Sequence, residues 1–439
     1  MSNTTLRRPP PSISLCLPPE IWHRVLEMVT FVPDSVYAHG LCPPRSGRPK
    51  RRDDQALRDS LVTKRRLVRV CKLWRALASR FLYETVVIGR GRTIPSLRDT
   101  LIFSKATAEG SSGGDRALGW YTRRLDLCVR GQTHIQHATP HVELEYLAEI
   151  IRCLPNLAVF IVDVTTKQYP DRMPASVMHA LAETCGSSLE VLHWPDSGSR
   201  VGRVLDPKPN EWHRLLSSAS NLRAIRCSDM LYSSRGYESH QGNAPVLSHL
   251  TTLTVSNKIC KYYLSPSHSF PSLRHVRYHD CASCLPHAWR GLLQLYGEHI
   301  TAVTLILHHF AADTQGHLDL LREFCPHLET LFLCFRSWSQ FTPHLRLPPV
   351  THLALMSVKS NSTTADCMAM FASLSTMETE RVRTVQIVHE RDIARLRDQK
   401  PKVLALGLAK LRTCKFDLQD YNGVILMRKD EDGDRGVLQ

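Results

Sequence analysis

One six-residue pattern constrains this chain more than any other feature: an apolar residue, two variable ones, an apolar residue, one variable, an apolar residue. It begins at Leu157, Leu189, Leu222, Leu250, Leu273, Ile300, Leu328, Val350, Val382 and Leu411, with start-to-start spacings of 22 to 33 residues. A less regular copy lies at 123–128. Each copy alternates, as a strand with one buried face should. Between copies run amphipathic segments such as 144–152 and 318–324, which read as helices. Cys153, Cys185 and Cys325 stand at equivalent places just before a strand. Small apolar thiols suit a tight core between successive units. A non-repeating α/β domain accounts poorly for ten such copies.

A strand plus a helix every 22–33 residues resembles a leucine-rich-repeat solenoid. The lengths vary and no corner Asn is fixed, so the resemblance is to the irregular type. The expected fold class is an α-β solenoid, an irregular horseshoe over 120–427, preceded by a small helical module; the whole chain is then α+β. In such a solenoid the strands line the concave face, and the variable positions between buried apolar ones face outward. His193, Arg226, His275, Arg277, His279 and Phe332 are the candidate substrate-binding residues, with His352, Gln386 and Lys415 at similar positions. Arg226, His275, Arg277 and His279 fall in central repeats. They form a basic to neutral patch suited to an acidic or phosphorylated segment. The alternative is that these side chains simply keep the face soluble.

The N-terminal quarter is different. Residues 1–14 are rich in Pro and Ser and are expected to be disordered. A proline at a first helical turn followed by Glu20 then opens a stripe of Ile21, Val25, Leu26 and Val29. Residues 33–60, with Gly40, Pro43, Pro44, Gly47 and a basic run, read as a loop insertion. From Leu61 a second helical stripe runs through Leu67, Val70, Cys71, Trp74, Leu77 and Phe81, and 82–88 is rich in strand formers. Residues 89–119 read as a linker and 428–439 as a charged tail.

The segments LPPEIW…VL (17–26), LVRVCKLWRAL and FLYETVVI resemble an F-box over 15–88, in the form common in fungal F-box proteins. The resemblance implies a helical unit that binds the adaptor Skp1 and through it a cullin–RING ubiquitin ligase, the SCF complex. Carried onto this chain, the Skp1 contacts are Leu17, Pro18, Ile21, Val25, Leu26, Leu67, Val70, Cys71, Trp74 and Leu77. A helical unit of this size has too little core to cover its own stripe, and docking into a partner groove would bury it. Alternatively the same stripes pack onto the C-terminal domain.

Charge sharpens the division. The formal net charge is +15, and residues 1–100 carry 19 basic and 8 acidic groups, a net of +11. The triplets Lys50-Arg51-Arg52 and Lys64-Arg65-Arg66 are a nuclear-import candidate, so the expected location is cytoplasmic, nuclear or both. No aromatics interleave with the basic run, so nucleic acid is not the expected partner. The N-terminus has no apolar core of a signal peptide, and no stretch reaches 18 apolar residues. The 14 cysteines are expected to be mostly free thiols in a reducing compartment. Cys281 and Cys284, flanked by His279 and His287, lack a second ligand pair for zinc. There is no P-loop, G-x-S-x-G or H-E-x-x-H. The chain is therefore read as a non-enzyme with no cofactor and no membrane association. It is an adaptor between a Skp1-like protein and a protein substrate, or else a ligase-independent repeat scaffold.

Overall fold

The computed structural model describes residues 18–32, 50–111, 116–129, 140–164, 172–194, 205, 207–227, 246–256, 269–280, 289–307, 313–359, 362–378, 380–388 and 390–429. Three helices come first: α1 (Pro19–Thr30), α2 (Lys50–Leu67) and α3 (Lys72–Glu84). Strands then alternate with helices. The strands are β1 (Thr85–Ile88), β2 (Arg124–Leu127), β3 (Val159–Val162), β4 (Val191–Trp194), β5 (Ala224–Cys227), β6 (Thr252–Ser256), β7 (His275–Asp280), β8 (Ala302–Leu307), β9 (Thr330–Phe335), β10 (His352–Ser357), β11 (Thr384–Ile387), β12 (Asp417–Gln419) and β13 (Ile425–Met427). The helices between them are α4 (Ile94–Gly110), α5 (Pro140–Arg152), α6 (Ala175–Ala180), α7 (Pro209–Ser218), α8 (Arg290–Tyr296), α9 (Thr314–Phe324), α10 (Thr364–Thr376), α11 (Glu390–Asp398) and α12 (Pro401–Lys410).

All thirteen strands form one sheet in strict sequence order, and every pairing from β1 to β12 is parallel; β13 closes the edge antiparallel. A parallel sheet in which each strand pairs only with its chain neighbours is a solenoid, one unit stacked on the last. The repeat motif sets the register. Position four of each regular copy pairs with position four of the next, and the less regular first copy starts one residue earlier than its sequence suggests, so that Leu125 takes that place; the buried row is Leu125, Phe160, Leu192, Ile225, Leu253, Val276, Val303, Leu331, Leu353 and Val385. This row and the helices' apolar faces form a single core running the length of the array.

A recurrent backbone device locks each strand entry. The carbonyl at position two accepts N–H groups from positions two and three of the next copy. Glu190 O, for example, takes Arg223 N at 2.8 Å and Ala224 N at 3.0 Å. The same arrangement recurs at Arg123, Ala158, Arg223, Thr251, Arg274, Thr301, Glu329 and Thr351. The helices have local reasons of their own. At α10, Thr363 Oγ1 accepts from Asp366 N at 3.1 Å while the Asp366 carboxylate accepts from Thr363 N at 2.8 Å, a reciprocal cap. Those bonds hold the Asp366 carboxyl below the usual carboxylate range.

Four expectations change. Residues 50–60, read as part of a loop, belong to α2, whose Leu57 and Leu61 are buried. The segment read as a linker contains the 17-residue α4, which buries Ile94 and Leu101 in the main core. The strand assigned to the N-terminal module, β1, is the first strand of the sheet, with Val86 opposite Leu125. The last copy is displaced: Leu418, not Cys414, pairs with Val385. Phe416 lies before that strand and is buried, so it had mimicked the sixth position of the motif. The disordered N-terminus at 1–14, the loop at 33–49 and the tail from 430 lie outside the described residues.

Between α4 and β2 the chain passes Gly119, where an added Cβ would stand 2.1 Å from the carbonyl oxygen of Cys153. Overpacking of this kind destabilises by about 1–3 kcal/mol. Gly119→Ala is therefore expected to lower the urea midpoint, while Gly291→Ala, at a position with open space, leaves it nearly unchanged.

Candidate functional site

Positions three and five of each copy face away from the helices and make a second surface. The paired row at position five reads Asp126, Ile161, His193, Arg226, Thr254, Arg277, Thr304, Phe332, Ala354 and Gln386. The row at position three includes Thr252 paired with His275. This face is zoned. Ala158, Val159, Ile161, Val191 and Ala224 form an apolar cluster at one end. A second cluster of Ile306, Phe332, Cys334, Ala354, Met356 and Val388 lies at the other. The polar centre between them carries Arg226, His275, Arg277 and His279, with buried Thr252 and Thr254 from the intervening strand.

The electrostatics differ along the face. Near its start, Arg124 donates two bonds of 2.8 Å to the Asp126 carboxylate, and both side chains are buried. Arg226 sits among cations instead. Burial, with the charges of Arg277 and Arg124, pushes its guanidinium down to about 10. Burial and the Arg226 charge push the His275 imidazole below its ordinary range.

The candidate residues of this face are thus brought together only in part. Arg226, His275, Arg277 and His279 share the centre and His193 adjoins Arg226 across β4–β5. Phe332 does not: it is 2% exposed and belongs to the apolar cluster. Gln386 donates to the carbonyl of Asp420 at 3.1 Å and so holds the C-terminal turn. His352 is exposed at the mouth of β10, and Lys415 precedes the displaced last strand. Thr252 and Thr254 were missed because hydroxyls at positions three and five carry no charge signal in sequence.

The N-terminal helices present a different surface. Leu26, Ala78 and Phe81 are buried together, with Leu67, Val68, Trp74 and Leu77 packed against them. Trp22 and Trp74 lie with ring centroids 5.2 Å apart. The Arg80 guanidinium donates to His23 Nδ1 at 2.6 Å, tying α3 to α1. The ten residues carried over from the resemblance therefore divide. Leu26, Leu67, Trp74 and Leu77 bind the helices to one another. Cys71 caps α3, its Sγ accepting from Trp74 N at 3.4 Å. Pro18, Ile21, Val25 and Val70 are exposed, and Leu17 lies outside the described residues. Met28 and Phe31, each 69% exposed, and Leu73 extend the apolar surface. The spacing Ile21, Val25, Met28 puts all three on one side of α1.

The second basic triplet of the import candidate is only partly open to solvent. Lys64 lies in the last turn of α2, is 4% exposed, and reaches Glu84 at 3.6 Å. Burial lowers its ammonium from the usual lysine range. Arg65 and Arg66 are exposed; the side chains of Lys50, Arg51 and Arg52 lie outside the described residues, as do Cys281, Cys284 and His287. Cys185, Cys325 and Cys334 are buried thiols pushed up to about 12 by burial, which makes them inert packing groups. Among the described residues no helix is long and apolar enough to cross a membrane.

No protein-family model matches the chain, and no curated protein does so. Among solved structures it is similar to the leucine-rich repeat-containing protein LegL7 from Legionella pneumophila. That likeness covers 70% of this chain and 77% of the other at 10% identity, with a TM-score of 0.25. The solenoid architecture rests on the strand order itself, not on this likeness.

His275 gives the central patch a measurable signature. Its folded value lies below the unfolded 6.5, so the unfolded state binds its proton first as pH falls. The stability associated with neutral His275 is complete above 6.5 and declines as pH drops from there toward the lower folded value. His275→Gln is expected to reduce the fall in urea midpoint between pH 7 and pH 5; an unchanged fall would contradict the assignment.

Proposed function

We propose that this chain is a substrate-recognition adaptor of an SCF-type ubiquitin ligase, its N-terminal helices docking on a Skp1-type protein and its solenoid holding a protein substrate. The observation that carries this reading is the apolar surface left on α1 and at the start of α3 after the helices have packed. Ile21, Val25, Met28, Phe31, Val70 and Leu73 are all exposed, and Ile21, Val25 and Val70 lie in the segments that resemble an F-box. Large contiguous apolar patches on a soluble chain mark interaction surfaces. A partner groove that accepts one face of a short helix is the matching geometry. In this reading the chain performs no chemistry. It fixes the distance and orientation between a bound substrate and the ligase.

A ligase-independent repeat scaffold is the second reading. It is favoured by the continuity of α3 into β1 and by Tyr83, which packs on the main core. In that case the three helices serve as the cap that a solenoid end requires.

The two readings separate in a binding experiment with purified full-length chain and a Skp1-type adaptor. The double variant Ile21→Glu/Val25→Glu is expected to weaken capture at least tenfold, about 1.4 kcal/mol, with an unchanged thermal midpoint. Leu26→Ala, which empties a buried site, is expected instead to destabilise the chain by about 2–5 kcal/mol. Equal, trace capture of wild type and double variant would reject the adaptor reading and leave the scaffold.

A further inference from the structure

The inner face of the solenoid contains two arginine environments that solve the same physical problem differently. A guanidinium removed from water needs a compensating anion or its burial is costly. Arg124 has one in Asp126, through two 2.8 Å bonds. Arg226, three strands along the same face, is held among Arg277 and Arg124, and both charges are positive. The inward positions of the described strands from β4 to β9 carry no Asp or Glu. Neighbouring strands lie about 4.8 Å apart, so Arg226 and Arg277, one strand removed from each other at the same level with Thr254 between them, start roughly 10 Å apart at the backbone, within the reach of two arginine side chains. His275 flanks Arg277 on the same face, and Thr252 pairs with it.

This patch is not a general solubilising coat. It is confined between two apolar clusters, and Thr252 and Thr254 within it are buried. Every side chain named in it presents a hydrogen-bond donor, and two of them are fixed positive charges. A carboxylate supplies one negative charge. A phosphate monoester supplies nearly two, with three acceptor oxygens that guanidinium forks match well.

We infer that Arg226 and Arg277, with Thr254 between them and Thr252 beside it on the same strand, seat a phosphate monoester carried on a phosphorylated side chain of a bound protein segment. The inference rests on the reading that the solenoid's inner face receives a protein partner, but not on which ligase, if any, the N-terminal helices join.

The test uses the full chain and three probes: inorganic phosphate, a degenerate phosphoserine peptide mixture, and the same mixture unphosphorylated. The phosphorylated mixture is expected to bind at least tenfold more tightly than either other probe. Arg226→Gln and Arg277→Gln should each remove that preference. Arg223→Gln changes net charge equally, but at an exposed side chain that faces Glu190; it should leave the preference intact. Without ligand, Arg226→Gln should match or exceed the wild-type thermal midpoint, because it relieves like-charge repulsion between half-buried side chains. A lowered midpoint would mark Arg226 as structural and overturn the assignment. Equal loss in Arg223→Gln would reduce the effect to net charge and overturn it too. Inorganic phosphate binding as tightly as the phosphorylated mixture would overturn the protein-borne source. Adaptor capture measured on the same samples is independent: loss of phosphopeptide preference with intact capture defeats this inference alone, and the reverse defeats the adaptor reading alone.

Discussion

The structure depends on one carbonyl in each repeat. At the second position of each motif copy it accepts two backbone N–H groups from the next copy, and this happens at nine successive junctions. The bond pair fixes where each strand begins relative to its neighbour. In a pleated strand a shift of one residue would turn every core side chain outward. Fixing the entry therefore fixes two surfaces at once. It aligns the row from Leu125 to Val385 in the core, and it aligns the row containing Arg226 and Arg277 on the opposite face. The inner face needs no separate scaffold, because it is the other side of the packing solution.

That coupling explains the zoning of the inner face. Packing constrains position four to apolar residues, whereas positions three and five are free to vary from repeat to repeat. Here two apolar zones flank a cationic middle. Such a surface is written one side chain per repeat, and a substitution at one position leaves the ladder intact. The N-terminal helices work the other way. They share one small core, so Leu26, Trp74 and Leu77 are committed to holding the unit together. The apolar residues left exposed lie on the side of α1 turned from that core and at the start of α3.

Much of the solenoid was legible in the sequence because its period is strict where the core demands it: nine of the ten motif copies occupy the strand and register that their spacing implies. The tenth failed because an apolar Phe416 at the right distance satisfies a pattern without joining the ladder. The helix at 50–60 was hidden by Lys50, Arg51 and Arg52, which look like a solvated loop although Leu57 and Leu61 are buried. The site was less legible than the fold. Sequence identifies which side chains face inward, and it did so for Arg226 and Arg277. It does not show that Phe332 is covered by its neighbours or that Arg226, among the described residues, lacks the carboxylate that Arg124 has.

Both faces of the solenoid require a continuous parallel ladder from 85 to 419. Hydrogen–deuterium exchange of the intact chain, resolved to short peptides, addresses it directly. The ladder predicts strong protection at the amides of 223–225, 251–253, 274–276 and 301–303, at levels that vary smoothly between neighbouring repeats. Fast exchange at 223–225 and 251–253 between protected flanks would break the sheet in two and contradict it.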